Sequence, residues 1–330
     1  MTKWCWKSAI DHLLIDMPVR DTDDYEDLLG QWSDLESGLG VILSNPNNTL
    51  EFAHRVVQYD RWMQGLMNRD PDLGLYLLFQ LASNSPVGYS ASHALVCATL
   101  CHVIAKELGT NPAERDSLVR AALTMNIAMT AAQDVLASQA EKPTPEQQDI
   151  IRAHSVKGSM MLGNLGVTDE LWIDIVSTHH DDSSDKKDFR LVPPATRLTR
   201  ILKVVDRYAA MISPRLSRAG RSATESARAV MANTSAKSDE VAHAMVRAVG
   251  LCPPGTFVRM DNGELAVVVR RSSTPNQPYV AIVGRTNDTL LPTPRLHATA
   301  KGAPGIRGAL AAASVTANLN HFLILRLTSQ

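Results

Sequence analysis

Residues 89–109 read YSASHALVCATLCHVIAKELG, and the reading of this stretch decides the fold class. Leu95, Val96, Val103 and Ile104 fall at helical spacing with no proline between them, so the segment is a helix with an apolar face. Ser90 or Ser92 is its expected N-cap, since a hydroxyl oxygen accepts a free N–H of the first turn, and Gly109 is its expected stop. His93, Cys97 and Cys101 stand at successive i, i+4 positions and so share one side of the helix. That spacing suits a metal, and it equally suits small core residues; both readings stay open here.

The segments on either side continue the pattern. Upstream, Leu75, Leu78, Phe79 and Ala82 follow an Asp-Pro-Asp start at Asp70, and the Asn-Ser-Pro-Val-Gly run at 84–88 is a loop. Downstream, Pro112 and Glu114 open a helix through Leu118, Ala122, Leu123 and Ile127, and a further helix starts near Glu146 after Pro143 and Pro145. Another carries Leu171, Ile175 and Val176 and ends near His179 and His180; a fifth runs through Ile201, Val204, Val205, Tyr208 and Ile212. Serine and alanine dominate 217–240, yet Val230, Val241, Met245 and Val249 fit one more helix.

After Gly250 the character changes. Phe257 to Met260 and Glu264 to Arg270 are β-rich runs across an Asp261-Asn262-Gly263 turn, and Val280 to Val283 is a third strand. The Ala- and Gly-rich tail from 300 to 313 precedes Phe322-Leu-Ile-Leu, a short helix returning to a strand. The expected division is an N-terminal helical region (1–84), a helical domain (85–249) and a small β-rich appendage (250–330).

Composition agrees with a mainly α fold. Aromatic residues are 5% of the 330, hydrophobic residues 45%, and alanine and leucine, which lose little freedom in a helix, are abundant. Lys and Arg number 33 against 34 Asp and Glu, a net charge of -1, so no overall field draws the chain to nucleic acid or to an acidic membrane. The N-terminal MTKWCWKSAIDHLLIDMP lacks a cleavage site, no apolar run is long enough to span a bilayer, and four scattered cysteines suit reduced thiols. A cytoplasmic protein is expected.

The order YSASHALVCATLCHVIAKELG, ERDSLVRAALTMNIAM, PTPEQQDIIRAHSVKGSMML, VSTHHDD, RILKVVDRYAAMISPRLSR resembles the HD-GYP family of metal-dependent phosphohydrolases over about 85–220. PPGTFVRMDNGELAVVVRR resembles the β-hairpin appendage that follows some members. The resemblance implies an HD-superfamily helical bundle that holds metal ions, often iron or manganese, which activate water against the phosphodiester of cyclic di-GMP. His93, His154, His179, His180 and Asp206 match the family's metal ligands.

Two departures follow from the same comparison. Met125-Asn126 stands where the family has its His-Asp pair, and Met129 where it has a lysine. The absent aspartate would bridge two cations; Asn126 offers one neutral carbonyl oxygen, and the Met125 thioether is too soft for hard ions. The loop DDSSDKKDFRLVPP replaces the glycine-tyrosine-proline signature. Arg215 and Arg218 match basic positions that face ligand phosphate, although a solvated helix end would read the same way.

The expectation is therefore an asymmetric site. One divalent ion, iron or manganese, stays on the three-histidine side, or the histidines are hydrogen-bonded relics with no ion, or a ligand has moved to Asp181, Asp182 or His54. Function follows as a catalytically impaired module that senses a cyclic dinucleotide or docks a signalling protein; the alternative is a working one-metal phosphohydrolase. A third reading makes the N-terminal region and the β appendage docking surfaces.

Overall fold

The computed structural model describes residues 22–84, 87–181, 188–232, 240–287, 289–315 and 319–328. The reading of residues 1–18 and the candidate Asp182 lie outside them. Helices α1 (Thr22–Ser44), α2 (Phe52–Arg69) and α3 (Pro71–Asn84) lead into α4 (Tyr89–Glu107), the segment from which the fold was read. Every residue from Ser90 to His102 is buried, because α1, α3, α5 (Pro112–Thr124), α6 (Thr130–Ser138), α9 (Pro194–Ile212) and α11 (Glu240–Val249) all pack around this helix. An apolar stripe on one face understates it: α4 is covered on all sides, which is why its residues are mostly small and apolar.

Neither Ser90 nor Ser92 caps α4. Gly88 is the N-cap residue at φ 136°, a backbone conformation that side chains resist, and the Asp134 carboxylate of α6 closes the helix end instead. The Ser90 N–H and hydroxyl donate to Asp134 at 2.8 and 2.9 Å, so a negative charge sits on the positive end of the helix dipole. The next helix was also read as too long. α5 stops at Thr124, whose hydroxyl donates to the Arg120 carbonyl at 2.8 Å while accepting from Trp172 Nε1 at 2.8 Å. A side chain that competes for the helix's own carbonyls favours a break there, and Met125-Asn126 forms the turn into a short 3-10 segment, Ile127–Met129, and α6.

α7 (Pro145–Asn164) opens with a capping box in which Thr144 accepts from the Gln147 N–H and Gln147 accepts from the Thr144 N–H. α8 (Glu170–Thr178) is capped by Asp169, which accepts from the Trp172 N–H at 3.1 Å. The stretch read as one helix after 217 holds two, α10 (Ala223–Ala232) and α11.

The sheet runs β4-β3-β2-β1-β5, all antiparallel, from β1 (Phe257–Met260), β2 (Leu265–Arg270), β3 (Tyr279–Gly284), β4 (Leu290–Ala298) and β5 (Ile306–Ala309). β4 and β5 escape the sequence reading. Pro292 and Pro294 interrupt β4 and Gly308 interrupts β5, and such residues are tolerated because both are edge strands. The expected final strand is absent among the described residues; α12 (His321–Arg326) ends the described chain. Leu265, Val267 and Val269 join the main helical core, whereas Ala266 and Val268 join a second cluster on the other face, as alternation along a strand requires. Arg270 and Arg271 fasten the sheet to α3 through Asp70 at 2.9 Å and Asp72 at 2.5 Å. No described helix is long and apolar enough to cross a membrane.

His102, near the C-terminal end of α4, gives the fold an acid sensitivity. Burial, with Arg115 and Lys106 nearby, lowers its pKa from 6.5 to about 4. The folded state therefore resists a proton that the unfolded chain accepts, so stability falls as pH drops from 6.5 toward 4. His102→Gln is expected to flatten the dependence of unfolding free energy on pH in that window; equal slopes in the two proteins would refute it.

Candidate metal centre

Two helices deliver the three histidines. α7 contributes His154, and the end of α8 contributes His179 and His180, whose position is set by Trp172 on Thr124 and by the Thr178 hydroxyl, 2.9 Å from that of Thr199 on α9. His154 Nε2 lies 3.1 Å from His179 Nε2 and 3.2 Å from His180 Nε2. His154 and His179 are buried and His180 is exposed, so the cluster opens to solvent on one side.

The hydrogen bonds of the other ring nitrogens fix what the cluster can do. His154 Nδ1–H donates to the Ile151 carbonyl at 2.5 Å and His179 Nδ1–H to the Val176 carbonyl at 2.7 Å. In the neutral rings both Nε2 atoms then carry lone pairs, and these lone pairs face each other. Burial lowers the pKa of both, to about 4 for His179, which the neighbouring His180 lowers further, so the rings are neutral near pH 7. Two converging lone pairs on His154 and His179, with no proton between them, form a geometry that suits a cation. Nitrogens about 2.1 Å from one ion stand roughly 3.0 to 3.4 Å apart in octahedral or tetrahedral geometry, and the observed spacings fall in that interval.

Facing the histidines is a second group. His93 Nε2–H on α4 donates to Asp206 Oδ1 on α9 at 2.9 Å, and Cys97 Sγ lies 3.6 Å from the same nitrogen. Cys101 is buried in the core and joins neither group, so only part of the His93, Cys97, Cys101 spacing has a place in the site. Burial alone would raise the Asp206 pKa, but the hydrogen bond and charge of His93, with smaller pulls from His179 and His180 when they are protonated, hold it down to about 2. A fixed negative charge thus sits within electrostatic reach of the three imidazoles. Asp206 is spent on His93, whose buried Nδ1 has no hydrogen-bond partner among the described residues.

Arg215 and Arg218 part company. The Arg215 guanidinium lies 4.8 Å from the Tyr89 ring centroid and donates to its hydroxyl at 2.9 Å, while Tyr89 stacks on His93 with ring centroids 5.4 Å apart. Arg218 turns back to the Ala210 carbonyl at the end of α9. The sequence reading passed over Tyr89, although it stands four residues before His93 on one helix face. His54 is exposed beside Glu51 and joins neither cluster, and Asp181 is exposed with its carbonyl accepting from Lys203. Met125 is buried in the core, Met129 is buried beside it in sequence, and Asn126, partly buried, follows the end of α5.

Comparison with known proteins agrees with this fold. A family model described as HD domain matches residues 77–240. The chain is 28% identical over 189 residues to cyclic di-GMP phosphodiesterase PA4108 of Pseudomonas aeruginosa, covering 56% of this chain and 45% of that protein. It therefore spans less than half the length of that curated relative. Among solved structures, Bd1817, an HDG"Y"P protein from Bdellovibrio bacteriovorus, superposes with a TM-score of 0.50 at 15% identity, covering 72% of this chain and 75% of the other. That likeness supports the fold alone.

Proposed function

Since the chain belongs to the HD domain family, in its HD-GYP branch, we propose that it is a catalytically impaired member that binds a cyclic dinucleotide and signals its presence. The observation that carries the reading is the asymmetry of the centre. His154 and His179 are preset as neutral ligands, while Asn126, which by resemblance stands in place of the bridging aspartate, offers no charge and Asp206 is committed to His93. His154, His179 and His180 would hold one divalent ion, iron or manganese by family resemblance. When bound, such an ion lowers the pKa of a coordinated water and polarises a phosphoryl oxygen.

The chain's own residues would do the rest. Asp206 balances the ion's charge from across the centre, His93 keeps that carboxylate oriented, and Arg215, held on Tyr89, steadies a ligand phosphate. With the neutral Asn126 in place of a carboxylate, the chain would lack a charged group to help orient an attacking water, and turnover would fall. One feature favours a rival reading: the preset histidines also suit a working one-metal phosphohydrolase.

Metal analysis and turnover separate the two. The purified protein is expected to carry at most one equivalent of manganese or iron, to lose it in His179→Ala, and to bind cyclic di-GMP calorimetrically with little hydrolysis. Brisk hydrolysis abolished by chelator and by His179→Ala would establish the phosphohydrolase instead. A signalling protein co-purifying with the chain, with no cyclic dinucleotide bound, would make it an interaction module.

A further inference from the structure

Elsewhere in the fold, a cleft of about 690 Å³ opens between α10, the end of α11, the loop after β2 and strand β5. Small-molecule pockets occupy roughly 300–1,000 Å³, so the cleft is large enough for a metabolite. Arg228, Arg247, Arg271 and Arg307 line it, against one carboxylate, Glu225, among the described residues. Two of the four are committed: Arg247 donates to Glu107 at 2.8 Å, and Arg271 to Asp72 at 2.5 Å and to the Ala248 carbonyl.

Arg228 and Arg307 are not. Among the described residues neither guanidinium donates a hydrogen bond to a carboxylate, and Glu225, which draws Arg228 from longer range, accepts from the N–H and hydroxyl of Ser222 at 3.1 and 2.9 Å. The cleft therefore presents two exposed planar forks, Arg228 drawn only from longer range by Glu225 and Arg307 with no carboxylate partner among the described residues, and such forks match phosphate oxygens. The loop from Arg271 to Pro278 supplies further polar groups in Ser273, Asn276 and Gln277, with Asn276 held in the left-handed region at φ 59°. Val246, Leu251 and Ile306 give an apolar lining, and no aromatic ring lines the cleft among the described residues, so a stacked base has nothing there to rest on.

We propose that this cleft binds a small sugar phosphate: Arg228 and Arg307 grip the phosphate, and the polar loop meets the sugar hydroxyls. The proposal uses no residue of the histidine centre and does not rest on the function read there. Calorimetric titration of the full chain with ribose 5-phosphate at 150 mM salt tests it, with inorganic phosphate and citrate as comparison anions. Saturable binding of one ribose 5-phosphate per chain is expected, weakened about tenfold or more in Arg228→Gln and in Arg307→Gln, with thermal midpoints unchanged and His179→Ala without effect. Absence of saturable binding, binding insensitive to both arginine variants, binding of citrate equal to that of the sugar phosphate, or binding lost in His179→Ala would each overturn it.

Discussion

Arg120→Ala is expected to destabilise the protein by about 3–5 kcal/mol, the usual cost of stripping a buried charge of its partner. Asp60 on α2 is fully buried and accepts from Arg120 Nε at 3.0 Å and from Gln64 Nε2 at 2.6 Å. Burial pushes its pKa up to about 6 even though Gln64 and Arg120 oppose the rise, so the carboxylate is only just held in its charged form at neutral pH. Without the guanidinium, Asp60 must either take up a proton or stay charged and alone. Both cost stability at pH 7, and the loss is expected to be smaller at pH 5, where the proton is freely available. The same guanidinium lies 3.7 Å from Asp169, the residue that caps α8, so the variant should also loosen His179 and His180 and weaken metal binding. A denaturation midpoint within about 1 kcal/mol of the parent would show that this network is ornamental.

A second large change is expected in the opposite direction. Writing histidine and aspartate back at the α5 break, as Met125→His with Asn126→Asp, should add one equivalent of bound metal to the at most one that the parent carries. Turnover of cyclic di-GMP should rise by about a hundredfold or more, the scale on which a placed charge acts at a reacting centre. Met125 is buried in the core, so the histidine will cost stability, and Asn126→Asp alone serves as the control that leaves the packing intact. If the double variant folds, binds two ions and still fails to turn over, the missing pair is not what limits catalysis.

Much of this was legible in the sequence. The five candidate ligands could be named only through resemblance to the HD-GYP family, since their order alone is a weak signal, whereas the helices themselves follow from spacing and from their proline starts. What escaped depends on distant partners. Asp134 caps α4 through Ser90, 44 residues earlier, and Arg120 meets Asp60 across 60 residues. No local pattern records such pairs. The prolines of β4 argue against a strand by any local rule, and only its place at the sheet edge makes them harmless. Arg215 and Arg218 look alike in sequence, and their fates diverge because one finds an aromatic ring and the other a helix carbonyl.

The carbonyls of Ile151 and Val176 that hold the two buried imidazoles belong to the same helices as the rings they orient. Orientation is therefore complete once α7 and α8 form, before any ion arrives. The centre is preorganised: loading it demands almost no ordering of side chains, and emptying it leaves the helices folded. Metal should then act on stability by mass action alone, adding about 2.7 kcal/mol at a hundredfold excess over its dissociation constant, with no separate folding transition for the empty form.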